Sequence, residues 1–83
     1  MIRILIADDE HLIREAIAGL LELEDDFEIV GQVASGDEAL KTALRLRPDV
    51  ALLDLQMPSP DGIEVARQLT NQLPESLFLK RRS

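Results

Sequence analysis

Ile2-Arg3-Ile4-Leu5-Ile6-Ala7-Asp8-Asp9 is a short, β-branched and almost wholly apolar run that stops abruptly at two acids. Such a run suits a strand covered on both faces of a sheet. Val50-Ala51-Leu52-Leu53-Asp54 repeats the pattern and also ends in an acid. Between the two runs, residues 10–24 place Ile13, Ala16, Ile17, Leu20 and Leu21 at helical spacing, with Glu15, Glu22 and Glu24 largely outside that stripe. An amphipathic helix follows, closed by the polar turn Glu24-Asp25-Asp26. Phe27 to Val33 alternates more and carries Gly31, as an edge strand would.

Ser35-Gly36-Asp37-Glu38 has the form of a capping box. Ser35 can accept from the amide of residue 38, and Glu38 can reach back to residue 35. Ala39, Leu40, Ala43, Leu44 and Leu46 continue that helix until Pro48, which disfavours a helical residue before it. Met57-Pro58-Ser59-Pro60-Asp61-Gly62 is a loop by composition. Ile63, Ala66, Arg67 and Leu69 open a third helix that fades by Leu73-Pro74. The order is βαβαβα over residues 1–73, then a divergent segment, 74–83, in which Leu77-Phe78-Leu79 reads as at most a stub of a fourth strand. Alternation of this kind implies an α/β fold with a parallel sheet and right-handed crossovers.

Composition narrows the function classes. The 83 residues are 46% hydrophobic but only 2% aromatic, so the core is aliphatic. There is no cysteine, which excludes disulfides and thiolate metal sites. No apolar run approaches the ~20 residues of a membrane span. The first residues lack the pattern of a secretory signal, so a cytoplasmic location is expected. Acids outnumber bases 16 to 9, for a net charge of −7. Lys80, Arg81 and Arg82 lie at the very end and read as a basic tail, which leaves the body still more acidic. Such a body repels a nucleic acid backbone, so no direct nucleic acid partner is expected. No Ser-His-Asp set, Walker loop or zinc cluster is present, and Gly31 and Gly36 lack dinucleotide-binding spacing.

In an open parallel sheet, ligands sit outside the carboxyl ends of the strands. Asp8-Asp9 and Asp54 fall at two such ends, so adjacent strands would bring three carboxylates to one rim. They repel one another unless a cation sits among them, and a hard divalent ion such as Mg²⁺ suits oxygen donors. A carboxylate beside that ion can attack phosphorus and form an acyl phosphate. The competing reading is that each Asp merely caps its strand-to-helix turn. Three acids at the ends of both buried strands favour a functional site. His11, Arg14, Lys41 and Arg67 read as solvated helix positions, and Met57 as a packing residue.

Ile4-Leu5-Ile6-Ala7-Asp8-Asp9-Glu10, with Val50-Ala51-Leu52-Leu53-Asp54-Leu55-Gln56-Met57-Pro58 and Asp61-Gly62, resembles the receiver domain of bacterial two-component response regulators. The opening also resembles receivers of DNA-binding regulators that carry a C-terminal helix-turn-helix. The resemblance implies that Asp54 is the phosphoacceptor. It implies that Asp9, Asp54 and the backbone carbonyl of Gln56 ligate Mg²⁺, and that Asp8 acts through water in the metal's outer sphere. Met57-Pro58 and Asp61-Gly62 would shape the loop beside the site. The implied partner is a sensor histidine kinase, and the implied role is signalling rather than enzymatic turnover.

The same resemblance implies a shortened, flavodoxin-like receiver of three parallel strands in the order 2-1-3, with helices on both faces and possible completion by a partner chain. Strand 3 would then be an open apolar edge, and a homodimer through that edge or through the helix 1 face is expected. Two groups that receivers carry, a Ser/Thr ending strand 4 and a Lys ending strand 5, are not found. Phosphorylation is therefore expected to be impaired, and the alternative is a non-catalytic module that dimerises or titrates a kinase. An aspartyl phosphohydrolase is a third reading, weakened because Gln56 stands where that class carries a second Asp.

Overall fold

The computed structural model describes residues 1–57 and 62–81. The Pro58–Asp61 part of the expected loop, Asp61 of the Asp-Gly pair included, and the last two residues, Arg82 and Ser83, lie outside the described residues. The elements are β1 (Ile2–Ala7), α1 (His11–Glu22), β2 (Phe27–Val33), α2 (Gly36–Leu46), β3 (Val50–Asp54), α3 (Gly62–Gln72) and β4 (Leu77–Arg81). All strand pairings are parallel, in the order β2-β1-β3-β4.

β1 is buried on both faces because consecutive side chains point to opposite sides of a strand. Leu5 and Ala7 join Val33, Ala51 and Leu53 in a core that α2 and α3 cover through Ala39, Ala43, Val65 and Leu69. Ile4 and Ile6 face the other way, where Ala18, Ile17 and Leu21 of α1 pack against them. The helices thus occupy both faces, two on one side and one on the other. β2 is an edge strand, as its alternation suggests.

The α2 cap forms as its sequence predicts in one half only. Ser35 Oγ accepts from the Glu38 amide at 3.2 Å. Glu38 answers not at the Ser35 backbone but at its hydroxyl, 3.4 Å away. The helix ends at Arg47, held at φ 48° in the left-handed region, immediately before Pro48.

The expectation of three strands is corrected by β4. Residues 77–81 pair with β3 from Val50↔Leu77 to Asp54↔Arg81, so the basic segment begins as sheet and not as a tail. Its docking is secured at both ends. The Leu77 amide donates to the Asp49 carbonyl at 2.9 Å, and the Leu55 amide donates to the Arg81 carbonyl at 2.8 Å. Ser76 Oγ adds a 2.7 Å bond to the Pro48 carbonyl. β3 is therefore paired on both sides, and the open strand 3 edge through which a homodimer was expected is covered by the chain's own β4. The physical reason is that backbone pairing with an apolar neighbour needs little from the side chains of the added strand. Phe78 is the β4 residue that packs against the α2/α3-side core.

Candidate functional site

Register brings the acids together. Ala7 of β1 lies beside Leu53 of β3, so the next residues, Asp8 and Asp54, emerge side by side at the carboxyl ends of the two central strands. A carboxylate oxygen from each of Asp8, Asp9 and Asp54 can be chosen such that all lie within 4.8 Å of one another. Asp8 and Asp54 are buried, at 1% and 2% exposure, whereas Asp9 is exposed.

Each buried acid divides its two oxygens between structure and site. Asp8 Oδ1 accepts from the Glu10 amide at 2.8 Å, and Asp54 Oδ1 accepts from the Gln56 amide at 3.0 Å. These are Asx turns that steer the chain out of each strand. The turn-capping reading therefore holds for one oxygen of each acid, and the other oxygen is left outside the turn. Asp8 Oδ2 accepts a charged hydrogen bond from the Arg81 guanidinium. Asp54 Oδ2 is fully buried and accepts no hydrogen bond among the described residues. An orphaned, buried, ionisable oxygen is costly unless a cation or proton reaches it. That orphan and the all-oxygen donor set fit a hard divalent ion such as Mg²⁺.

Arg81 is the site residue that the sequence reading missed. It is the last described residue of β4, directly opposite Asp54, at the strand end where the resemblance calls for Ser or Thr. Its Nη2 atom lies 3.9 Å from Asp54 Oδ2. The available signal was the apolar run Leu77-Phe78-Leu79 immediately before it. Extended by two residues as a strand, that run carries Arg81 to the rim. Lys80, which was not assigned a site role, is exposed.

Arg14 is half-buried rather than solvated. Its Nη1 donates to the Asp8 carbonyl at 2.8 Å, which ties α1 to the rim. His11 is exposed at the start of α1, with Nδ1 3.0 Å from Arg14 Nη2. Met57 is buried in the α2/α3-side core, a packing role. Gln56 is exposed. Arg67 pairs with Glu64 on the surface of α3, remote from the acids in the chain. Through that bond and a second from Gln68, the Glu64 carboxyl is pulled down to about 2.

Comparison with known proteins agrees with this arrangement. The family described as the response regulator receiver domain matches residues 4–78. The transcriptional regulatory protein BtsR of Salmonella typhi is 49% identical over 69 residues, covering 83% of this chain and 29% of that one. Response regulator GacA of Pseudomonas viridiflava is 44% identical over 75 residues, 90% of this chain and 35% of that protein. The signal receiver domain of the response regulator NarL from Mycobacterium tuberculosis superposes with a TM-score of 0.91 at 33% identity, over 98% of this chain and 65% of that one. The chain spans about a third of the length of the curated relatives it matches. Among the described residues no helix is long and apolar enough to cross a membrane. With the sheet order, the acids at adjacent strand ends and a family match over most of its length, the chain belongs to the response regulator receiver domain family of two-component systems.

Proposed function

We propose that the chain is a phosphoacceptor module, with Asp54 as the acceptor and its Oδ2 atom as the nucleophile. The single observation that carries this reading is the buried Asp54 Oδ2, which accepts no hydrogen bond among the described residues, while Oδ1 is committed to the Gln56 amide. Oδ2 attacks phosphorus, the bond from phosphorus to a phosphohistidine nitrogen breaks, and its electron pair leaves on the imidazole of the donor. The product is a mixed anhydride on Asp54. A small acyl phosphate serves the same way, losing its carboxylate.

Asp9 and Asp54, with the Gln56 carbonyl, would hold Mg²⁺, and Asp8 would act through water in its outer sphere. When bound, the ion neutralises charge on the transferring phosphoryl oxygens. The chain's own part is positional. The Gln56 amide fixes the rotation of the Asp54 carboxylate, and the Glu10 amide does the same for Asp8. The module would work in the cytoplasm with a sensor histidine kinase as donor, without touching nucleic acid itself and without catalytic turnover of its own.

The test is incubation with Mg²⁺ and acetyl phosphate, followed by intact-mass and peptide analysis. One added phosphoryl group on Asp54, absent from Asp54→Asn, supports the proposal. An unchanged mass under conditions that modify another receiver refutes it.

A second reading, an interaction module that dimerises or titrates a kinase, is favoured by a specific apolar surface. On the α1 side, beyond the helix, Ile2, Leu77 and Leu79 are exposed and join Ile4, Val50 and Phe27 in one groove. Leu20 of α1 and Leu23 just after it are exposed as well. With the β3 edge covered, the helix 1 face is the route left for the expected homodimer. Sedimentation equilibrium decides it, since one monomeric species at all concentrations would exclude association.

A further inference from the structure

The acidic rim already contains a cation. Arg81 Nη2 bonds Asp8 Oδ2 and stands 3.9 Å from Asp54 Oδ2. These two atoms belong to the acids that are buried, and they are the oxygens left over once the turns have taken Oδ1 from each. The space among Asp8, Asp9 and Asp54 is small, with the three chosen oxygens within 4.8 Å of one another. A divalent ion held among these carboxylates would compete for them with the guanidinium, and two cations that close repel strongly in a partly dehydrated pocket.

The backbone of Arg81 cannot withdraw easily, because its carbonyl is bound by the Leu55 amide at 2.8 Å and its residue is registered to Asp54. Its side chain can. It is 36% exposed, against 2% and 1% for the side chains of Asp8 and Asp54. Among the described residues the other basic groups nearby do not duplicate it. Arg14 addresses the Asp8 backbone carbonyl, not a carboxylate oxygen, and Lys80 is exposed.

We propose that Arg81 is a tethered counter-cation of the acidic site: it neutralises Asp8 and Asp54 when no metal is bound, and a divalent ion enters only by expelling its side chain. The inference rests on the reading of the rim as a divalent-cation site. Arg81 then sets the metal concentration at which the site loads. A chain with an uncharged residue there would load more readily but would be less stable when empty. This is competition between a tethered cation and a free one for a single site: a side chain that occupies the rim about nine-tenths of the time weakens the apparent affinity about tenfold.

The experiment uses the full chain and Mg²⁺ alone. Mg²⁺ is titrated into the wild type and into Arg81→Thr, Arg81→Gln and Arg81→Lys, with the amide resonances of Asp9, Asp54 and Gln56 as reporters of binding. The expected result is a Kd about tenfold tighter for Arg81→Thr and Arg81→Gln than for the wild type, with Arg81→Lys between. Thermal melts should show the two uncharged variants below wild type without Mg²⁺ and recovering most of the gap at saturation.

Should an uncharged variant fail to fold without metal, the wild type alone still decides. Its Arg81 Nε resonance should move along the same saturation curve as the Asp9 amide, towards the position of a free arginine. Equal Kd values in wild type and variants, or an Arg81 Nε signal unmoved while the amides saturate, would overturn the inference and leave the metal reading standing. Absence of any Mg²⁺ response in every chain would overturn both.

Discussion

One substitution, made at two places, should change stability in opposite directions. Gly31 lies in β2, where the pairing with β1 slips: Ile4 faces Ile29, but Leu5 faces Gly31, and Val30 is left over. A methyl group on Gly31 would meet Leu5 Cδ1 at 3.1 Å and Thr42 Cγ2 at 3.4 Å. Leu5 is fully buried in the α2/α3-side core, so its methyl group has to give by a few tenths of an ångström against packed neighbours. Overpacking of this kind costs about 1–3 kcal/mol. The unfolded chain loses freedom on the same change, which returns about 0.4–1 kcal/mol. Gly31→Ala should therefore destabilise by about 1 kcal/mol net.

Gly19 is the opposite case. It sits in the exposed interior of α1, and nothing lies within 4 Å of where its Cβ would be. Gly19→Ala should stabilise by about 0.5–1 kcal/mol from helix propensity alone. Neither glycine has a positive φ, so backbone strain does not enter. A domain of this size has a total stability of about 4–12 kcal/mol, so both effects are measurable. The chain has no Trp or Tyr, so urea unfolding is best followed by far-UV circular dichroism. With a slope of about 1 kcal/mol per molar urea, the Gly31→Ala midpoint should fall by about 1 M and that of Gly19→Ala should rise by about 0.5–1 M. If the Gly31→Ala midpoint does not fall, the close approach of Leu5 to β2 is not what keeps a glycine at position 31.

Other expectations follow from single contacts. Leu69→Ala empties a fully buried position in the α2/α3-side core and should cost about 2.7–5 kcal/mol, whereas Leu12→Ala, at a residue 81% exposed, should stay within about 0.5 kcal/mol in the same urea assay. Ser35→Ala removes the acceptor for the Glu38 amide and should lower stability by about 1 kcal/mol, with Ser35→Asp restoring it. The Glu64 side-chain carbon should titrate near pH 2 by NMR, because Arg67 and Gln68 bond its ionised form, and Arg67→Met should move it back towards 4.5. Since folding lowers this carboxyl from 4.5 to about 2, its small contribution is complete above pH 4.5 and fades as the pH falls through 2. An unmoved Glu64 midpoint in Arg67→Met would show that the pair does not persist in solution.

Three strands and three helices were legible in the primary structure because each obeys a rule that acts within a few residues. Ile2–Ala7 and Val50–Asp54 are too apolar to sit anywhere but inside a sheet, and α1 and α3 carry one apolar stripe each. Ser35 and Pro48 bracket α2 from within the chain itself. Asp8, Asp9 and Asp54 could be placed at one rim because a parallel sheet puts strand ends on one side, and the resemblance to receivers supplied the roles proposed for them.

β4 and Arg81 were not legible in the same way. Leu77–Arg81 has one half-buried apolar residue, two exposed leucines and two cations, a composition that by itself does not demand burial. What makes it a strand lies 27 residues earlier, in the unpaired amides and carbonyls of β3. Local pattern therefore determined which segments fold and where the acids point. Only the assembled sheet decided that the basic end of the chain would become its fourth strand and lay a guanidinium across those acids, because hydrogen-bond pairing and charge neutralisation between distant segments leave no periodic mark in either one.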